Sequence, residues 1–185
     1  AYRPKKEAAF GVDQDKLSGV LKRAKKEPIR MKAVLSNVRV GSMEVTIGKF
    51  SRVISLVDVT GIPDPKLPTL TIPGKCTVAT KALVDFFKEA RELSDHVRLT
   101  WDGKELAAQA EGEVDKVSDA WEAKGTLSGP AVTSLFQLDY LENILKRVQS
   151  EEVTICLGTD YPIRMEWETE TAEYTYLCAP RIESE

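Results

Sequence analysis

The chain has 185 residues, of which 42% are hydrophobic and 30% charged, and its formal net charge is −3. This composition is typical of a globular protein with a core of normal size, and it excludes a disordered chain. The net acidity excludes attraction of the whole surface to nucleic acid, and no apolar run reaches the roughly 18 residues that a membrane span needs. The charge is uneven, since residues 1–32 hold ten Lys/Arg against four Asp/Glu and residues 151–185 hold two against nine.

The first predicted elements are a short strand and a helix. Residues 10–13 predict a strand, and the pattern that follows predicts a helix over 14–26. We expect the Asp13 side chain to cap this helix. Runs of β-branched and aliphatic residues then predict three strands, at 29–35, 43–47 and 50–57.

A proline-rich segment at 60–69 separates the two halves of the chain. Proline lacks a backbone donor and disfavours both helices and central strands, so this segment predicts an extended connector. The predicted organisation is a first domain at 1–59, a connector at 60–71 and a second domain at 72–185. Ile62 and Leu67 are unusual in an inert linker, and we expect them either to pack on a domain or to contact a partner.

The second half predicts two more helices among many strands. One helix is predicted at 80–93 with Thr80 as its N-cap, another at 139–149, and a loop at 125–130. The order β-α-β-β-β recurs with short connections, which predicts an α+β fold with antiparallel sheets and helices on one face. The strands are predicted near 72–78, 96–101, 104–110, 114–121, 133–137, 152–157, 163–169 and 173–178.

The three predicted helices share one pattern. An apolar stripe at i, i+3, i+4 and i+7 begins at Leu17, at Leu83 and at Leu141. In each copy the residue five positions after the first is a lysine, about 140° around the helix from the stripe. A solvated surface explains one such lysine, but three predict an array of units that presents positive charge to a polyanion. These lysines are Lys22, Lys88 and Lys146.

The chain lacks a recognisable catalytic or metal-binding motif. His96 is its one histidine, and Cys76, Cys156 and Cys178 are widely spaced without a CxxC pair. This spacing does not suit zinc, and we expect reduced thiols in the core and an ordinary histidine at a strand edge. No cofactor or metal is expected, and the sequence indicates a binding or scaffolding protein rather than an enzyme.

Several segments resemble the sliding DNA clamp family, PCNA. The C-terminal runs 158–163 (GTDYPI) and 176–183 (YLCAPRIE) resemble the end of these clamps, and 58–63 (DVTGIP) is similar to their interdomain connecting loop. Residues 10–13 (FGVD) and 110–113 (AEGE) are also similar to clamp sequences. The GTDYP form resembles archaeal members most. The resemblance covers nearly the whole chain, but residues 1–10 resemble a point inside the first clamp domain, so about a quarter of the family pattern is not represented.

The resemblance implies a DNA-clamp fold of repeated β-α-β-β-β units, assembled as a closed trimeric ring with helices on the inner face and sheets outside. Residues 1–59 would form a partial N-terminal clamp domain, 60–71 the connecting loop and 72–185 the C-terminal domain. Duplex DNA would pass through the ring without sequence preference. The DNA-facing residues implied are Lys16, Lys22, Arg23, Lys26, Lys81, Lys88, Lys146 and Arg147.

Two further surfaces are implied by the resemblance. A pocket for peptides with a glutamine and an aromatic anchor would be formed by Ile62, Pro63, Leu67, Asp160, Pro162, Leu177, Ala179 and Pro180. The ring contact would join residues 50–57 of one subunit to 113–120 of the next, through Phe50, Val53, Ile54, Leu56, Val114, Lys116 and Val117.

The implied function is that of a processivity factor in DNA replication and repair, as a homotrimer or a heterotrimer. Its partners would be DNA polymerase, ligase, flap nuclease and the clamp loader, each bound through a short peptide motif. The location would be the archaeal cytoplasm, in association with the nucleoid, or the nucleus if the source is eukaryotic; no membrane partner is expected. The alternative is a fragment or subunit that acts only as a peptide-binding module.

Overall fold

The computed structural model describes residues 10–34, 41–59, 61–62 and 68–182. The chain divides into two compact units, Ala1–Leu67 and Pro68–Glu185. The predicted connector at 60–71 stays a prediction, because Thr60 and residues 63–67 lie outside the described residues. In the first unit the elements are β1 (Gly11–Val12), α1 (Gln14–Leu21), β2 (Ile29–Val34), β3 (Ser42–Ile47) and β4 (Phe50–Val57).

The second unit contains two further β-α-β-β-β repeats, and the predicted α+β class is confirmed. One additional strand, β9, lies between the repeats. The elements are β5 (Gly74–Ala79), α2 (Thr80–Arg91), β6 (His96–Trp101), β7 (Glu105–Glu111), β8 (Lys116–Glu122), β9 (Lys124–Leu127), β10 (Val132–Gln137), α3 (Leu138–Leu145), β11 (Glu152–Leu157), β12 (Ile163–Glu168) and β13 (Glu173–Cys178).

The first unit is one antiparallel sheet, in the order β1-β4-β3-β2, with α1 packed against it. The predicted cap is confirmed, because the Asp13 carboxylate accepts the backbone N–H of Lys16 at 3.0 Å. The predicted extension of the helix to residue 26 is wrong. The helix ends at Leu21, and Lys25 adopts a φ of 46°, in the left-handed region that cannot continue an α-helix.

Strand β2 has an open edge. Among the described residues it pairs only with β3, whereas β11, the strand that follows α3, pairs with both β12 and β5. All six residues of β2 are exposed, including Ile29, Met31 and Val34 at 41%, 55% and 51%. An edge strand with exposed apolar side chains is a ready site for pairing with another strand.

The two repeats of the second unit exchange their first strands. The sheets have the orders β10-β6-β7-β8 and β13-β12-β11-β5-β9, so β10 joins the strands after α2 and β5 joins those after α3. Both repeats therefore contribute to a single core. Its largest fully buried side chains include Trp101, Phe87, Phe136, Leu83 and Leu141.

Three local predictions for the second unit are wrong. Thr80 is not the N-cap of α2: Ala79 holds that position, Thr80 N–H donates to Glu151 O at 2.8 Å, and the Thr80 hydroxyl is buried without a partner. The predicted loop at 125–130 is partly strand β9, which pairs with β5. Helix α3 ends at Leu145 rather than 149, because i→i−3 hydrogen bonds at Arg147 and Val148 tighten the chain into turns.

The buried thiols give stability a dependence on alkaline pH. Burial, aided by the charge of Cys156, raises the pKa of Cys76 from 9.0 to about 12. The unfolded thiol therefore loses its proton first as pH rises, and Cys76 lowers the free energy of unfolding by about 1.4 kcal/mol per pH unit between these pKa values. Urea denaturation from pH 8 to 10.5 should show a steeper loss of stability in the wild type than in Cys76→Ala, and equal slopes would contradict this prediction.

Candidate nucleic-acid and partner surfaces

The predicted apolar stripes of the three helices are confirmed as core-facing. Leu83, Phe86, Phe87 and Ala90 of α2 are all buried, and the stripes that begin at Leu17 and Leu141 are buried or half-buried in their own units. The lysines that follow are exposed on the opposite side: Lys22, Lys88 and Lys146. Each helix thus buries one face, and the exposed lysine lies on the helix in α2 (Lys88) and at the C-cap in α1 and α3 (Lys22 and Lys146).

The end of α1 carries a concentrated positive charge. Lys22 directly follows the helix, and Arg23 and Lys26 lie in the turns after it, all exposed. The Arg23 guanidinium lies 4.5 Å from the centre of the Phe50 ring, a cation–π contact that holds this side chain in place. Neither Lys22 nor Lys26 has an acidic partner among the described residues, whereas Lys16 at the start of the helix pairs with Asp13 at 3.2 Å.

The cations of α2 lie among acids. Lys81 forms an ion pair with Asp85 one turn later, and Lys88 lies 3.9 Å from the same carboxylate. The side-chain hydrogen bond from Lys81 is the main reason that the pKa of Asp85 falls below its ordinary value. Exposed Glu89 also lies on this helix. Lys81 and Lys88 are therefore predicted DNA-facing residues whose charge is largely balanced locally.

A network of ion pairs joins α3 to α2. Glu142 is nearly buried at 7% exposure, and its carboxylate pairs with Lys146 at 2.6 Å and with Arg91 of α2 at 3.4 Å. Arg91 also pairs with Asp139. Sequence reasoning identified Lys146 but not Glu142, because no local pattern shows that an acid on one helix faces an arginine on another. Arg91 therefore joins the two helices, and Lys146 shares the Glu142 carboxylate with it while remaining exposed.

Arg147, the last predicted DNA-facing residue, lies beside aromatic side chains. It is exposed and lines a cavity of about 350 Å³ together with Ile144, Trp167 and Tyr174. The rings of Trp167 and Tyr174 stack with their centres 5.1 Å apart. This places a cation next to an aromatic pair at the end of α3.

Three of the predicted pocket residues line one cavity. Leu177, Ala179 and Pro180, at the end of β13 and just after it, border a space of about 540 Å³. The rest of its lining is formed by Gln137, Tyr140, Tyr176, Cys178 and Arg181. The Tyr176 hydroxyl donates to Tyr140 O at 3.4 Å, so the wall of the cavity is anchored to α3.

Asp160 and Pro162 lie in the turn between β11 and β12. Asp160 adopts a φ of 49°, which asparagine and aspartate tolerate better than other residues with a Cβ. Because Ile163 pairs with Cys178, Pro162 lies next to the chain at Ala179. The buried Ser134 hydroxyl holds the turn: it donates to Gly158 O at 2.7 Å and accepts Tyr161 N–H at 3.1 Å. Sequence reasoning missed Ser134, because a serine inside an apolar strand gives no functional signal.

Of the three connector residues in the predicted pocket, the structure describes Ile62. Ile62 is exposed at 62%, which is unusual for an isoleucine. Pro63 and Leu67 lie outside the described residues. The pocket that would combine Ile62 with the second unit stays a prediction.

Two of the predicted interface residues in β4 have buried side chains. Ile54 and Leu56 are 2% and 4% exposed, because they point into the core of their own unit. Phe50 also packs against that core, whereas Val53 is 64% exposed. Strand β4 is not a complete edge either, since β1 pairs with its last two residues.

The other predicted interface strand, β8, lies at the edge of its sheet. Val114, in the turn before it, is 92% exposed, and Lys116 is exposed and paired with Glu111 at 3.1 Å. Val117 instead packs partly against the core. The strands of the ring contact stay a prediction, with exposed side chains at Val53, Val114 and Lys116.

His96 contacts a residue that sequence reasoning did not connect to it. Its Nε2 lies 2.6 Å from Nη1 of Arg181, which follows β13. In the described part of the chain, no group of three or more His, Cys, Asp or Glu side chains is arranged to hold a metal. None of the helices described there is long and apolar enough to cross a membrane.

No protein-family model matches the chain. Individual proteins do: the DNA polymerase sliding clamp of Methanosarcina barkeri is 32% identical over 186 residues, which cover 97% of this chain and 75% of that protein. The chain belongs to the sliding clamp family. The clamp of Methanocella arvoryzae is 38% identical over 156 residues, 80% of this chain and 63% of the relative.

Solved clamp structures share the fold. The structure of A. fulgidus PCNA with the C-terminal region of FEN-1 bound superimposes with a TM-score of 0.85 at 28% identity, covering 100% of this chain and 77% of that one. PCNA from Thermococcus kodakaraensis gives a TM-score of 0.81 at 23% identity, with 98% and 76% coverage. The chain spans 63% and 61% of the length of the clamps from M. arvoryzae and Methanococcoides burtonii.

Proposed function

We propose that this chain is a subunit of a ring that encircles duplex DNA and tethers polymerase and other replication and repair enzymes as a processivity factor. The observation that supports this most is that all three helices bury an apolar stripe and that an exposed lysine lies on the helix or at its C-cap. A ring holds DNA topologically, so its contacts can be weak. Lysines touch phosphates as point charges without reading bases, which permits sliding.

We propose a scaffolding rather than a catalytic role. Histidine and cysteine are common catalytic residues, but here His96 contacts Arg181, and Cys76 and Cys156 are buried thiols with a raised pKa. Polymerase, ligase, flap nuclease and clamp loader would bind through short peptides near Leu177 and Ala179. The protein would act where the DNA is, in the cytoplasm of an archaeon.

The ring would form from three subunits, identical or different, through β4 of one and β8 of the next. Light scattering at several concentrations tests self-assembly directly. We expect a mass of three times the 20.6 kDa of one chain. A monomer at all concentrations would contradict a homotrimer and require a different subunit or a longer chain.

Two matched valine variants locate the contact. Val53→Asp puts a charge on the exposed side of β4, and Val34→Asp does the same on the open edge of β2. We expect the trimer to dissociate in Val53→Asp and to persist in Val34→Asp. The reverse result would place the association surface on β2 and not on β4.

The second candidate is a clamp fragment that binds peptides without encircling DNA. The open β2 edge favours it, because strand β2 exposes Ile29, Met31 and Val34. This alternative predicts a monomer or heterodimer without salt-dependent retention of DNA, whereas a clamp predicts retention that falls steeply with salt.

A further inference from the structure

The cavity of about 350 Å³ at the end of α3 combines a cation with aromatic rings. Its lining includes Arg147 and Gln149 after the helix and Trp167, Tyr174 and Tyr176 on β12 and β13. The volume lies within the range of about 300 to 1,000 Å³ that is usual for small-ligand pockets. Of these five residues, Arg147 alone is a predicted DNA contact, and the rings have no part in the proposed clamp contacts.

Tyr174 presents an exposed ring at this cavity. Trp167 and Tyr174 lie directly opposite each other on β12 and β13, and their rings stack at an interplanar angle of 3°. The indole is 8% exposed and covers one face of the tyrosine ring, yet Tyr174 remains 43% exposed. A ring that a buried neighbour already holds in place can receive a planar ligand at little cost in conformational entropy.

The charge next to this ring is positive. Arg147 is exposed and has no acidic partner within the described residues. Glu168 and Glu173 lie opposite each other on the same two strands. Because side chains alternate along a strand, these acids lie on the other face of the sheet from Trp167 and Tyr174. In the described part of the chain no acid lines the cavity, so the guanidinium is its source of charge.

Strand β13 adds polar groups to the cavity. It is the last strand of the sheet β13-β12-β11-β5-β9, and within the described ranges it pairs with β12 alone. The outer edge of such a strand carries backbone N–H and C=O groups that can bond a ligand. Thr175 on this edge and Gln149 after α3 both line the cavity. Hydroxyl and amide groups of this kind can donate to or accept from the edge of a base.

We propose that this cavity binds an unpaired nucleotide of DNA, with its base stacked on Tyr174 and its phosphate on the Arg147 guanidinium. Every base has a face that can stack on an aromatic ring, so the site would not read sequence. A guanidinium fork matches the geometry of phosphate oxygens. The site would be filled where a base has left the stack, as at an unpaired strand end. Assignment to DNA rests on the proposed function, whereas the nucleotide site does not.

The nucleotide site is tested without DNA. The deoxyribonucleoside monophosphate of 2-aminopurine is fluorescent, and its emission is quenched when the base stacks on an aromatic ring. Titration with the protein should therefore quench it saturably. Tyr174→Leu should weaken binding about fivefold or more, as expected for the loss of one stacked base, and Tyr174→Phe should bind as the wild type does. Absence of saturable quenching in the wild type would overturn the proposal.

Two further variants assign the phosphate and control for the cavity. Arg147→Gln should weaken binding of the monophosphate about threefold to fivefold, as expected for an exposed ion pair, and should not affect the uncharged nucleoside. An equal effect on both ligands would contradict the phosphate contact. Tyr140→Leu removes a tyrosine that is 59% exposed on α3 and lines a different cavity. Equal losses in Tyr140→Leu and Tyr174→Leu would contradict the assignment to this cavity.

A pair of duplexes tests the assignment to DNA. Both carry 2-aminopurine as the last base of one strand, unpaired in one duplex and paired with thymine in the other. A second fluorophore at the far end reports binding by anisotropy. We expect both duplexes to bind and the protein to quench the unpaired base alone. This quenching should be lost in Tyr174→Leu and persist in Tyr140→Leu.

The outcomes separate this inference from the proposed function. Binding of both duplexes without quenching of the unpaired base would overturn the assignment to DNA and leave the clamp function intact. Binding of neither duplex would contradict the clamp function and, with it, the assignment of the nucleotide to DNA. Saturable quenching of the monophosphate in either case would assign the cavity to a free nucleotide instead.

Discussion

Replacing Lys22, Lys88 and Lys146 together with glutamate is expected to weaken binding of duplex DNA by about 100-fold to 1,000-fold near 0.1 M salt. Each phosphate contact contributes about 0.9 to the slope of log affinity against log salt, so the loss of one contact at each of the three lysines of one subunit lowers the slope by about 2.7. All three side chains are exposed and lie opposite a buried stripe. Assembly should not change, since none of them lies on β4 or β8.

The three lysines should not contribute equally. Lys146 is paired with Glu142 at 2.6 Å and Lys88 lies 3.9 Å from Asp85, so a phosphate must compete with a carboxylate at both. Lys22 and Lys26 have no acidic partner within the described ranges. The pair Lys22→Glu with Lys26→Glu should therefore reduce affinity more than Lys88→Glu with Lys146→Glu.

Anisotropy with a labelled duplex between 50 and 200 mM salt measures both effects. Lys124→Glu provides the matched control, because it reverses an exposed lysine that belongs to strand β9 and not to a helix. An unchanged salt slope in the triple variant would contradict the DNA-facing assignment. A larger loss from the Lys88 and Lys146 pair would show that their acidic neighbours do not screen them.

The helices could be predicted from sequence because their signal is local. A stripe repeated every three or four residues specifies both a helix and its buried face, and Leu17, Leu83 and Leu141 each begin such a stripe. The C-terminal ends of α1 and α3 were harder to predict from the sequence. The left-handed residue Lys25 and the tight turn after Leu145 have no strong sequence marker, since neither is a glycine or a proline.

The exchange of strands could not be predicted in this way. Strand β9 pairs with β5, about fifty residues earlier in the chain, and the local composition of 125–130 indicates a loop. Gly125 is needed for that distant contact: a Cβ there would lie 2.0 Å from Lys75 O. In a single sequence, a glycine that permits two backbones to approach closely cannot be told from a glycine that forms a turn.

The candidate surfaces also contain features that the local sequence predicts and features that it does not. Exposed cations at fixed helix positions follow from periodicity, and the residues around Leu177 and Pro162 follow from resemblance. Neither periodicity nor resemblance predicts which residue each side chain contacts. The contacts of Glu142 with Arg91, of Ser134 with the turn at 158–161, and of Arg181 with His96 all join segments far apart in the chain.

Replacing Trp101 with alanine is expected to cost the second unit about 3 to 5 kcal/mol in free energy of unfolding. Trp101 is fully buried at the end of β6, and its indole N–H donates to Thr126 O of β9 at 3.1 Å. Strands β6 and β9 belong to different sheets, so the Trp101 side chain forms a hydrogen bond from one sheet to the other. The indole also packs so closely on β5 that a Cβ at Gly74 would lie 2.8 Å from Trp101 Cδ1.

Two further variants separate volume from hydrogen bonding. Trp101→Phe keeps much of the ring but leaves the Thr126 carbonyl without its donor, which should cost about 1 to 3 kcal/mol. Trp121→Ala removes a half-buried indole that packs at the margin of the core, edge-on to Phe86 with 5.7 Å between ring centres, and should cost less than Trp101→Ala. Urea denaturation followed by circular dichroism gives all three values. Equal losses in Trp101→Ala and Trp121→Ala would contradict this role of Trp101. The larger cavity and the lost hydrogen bond to Thr126 would then add nothing to the cost of removing a half-buried indole.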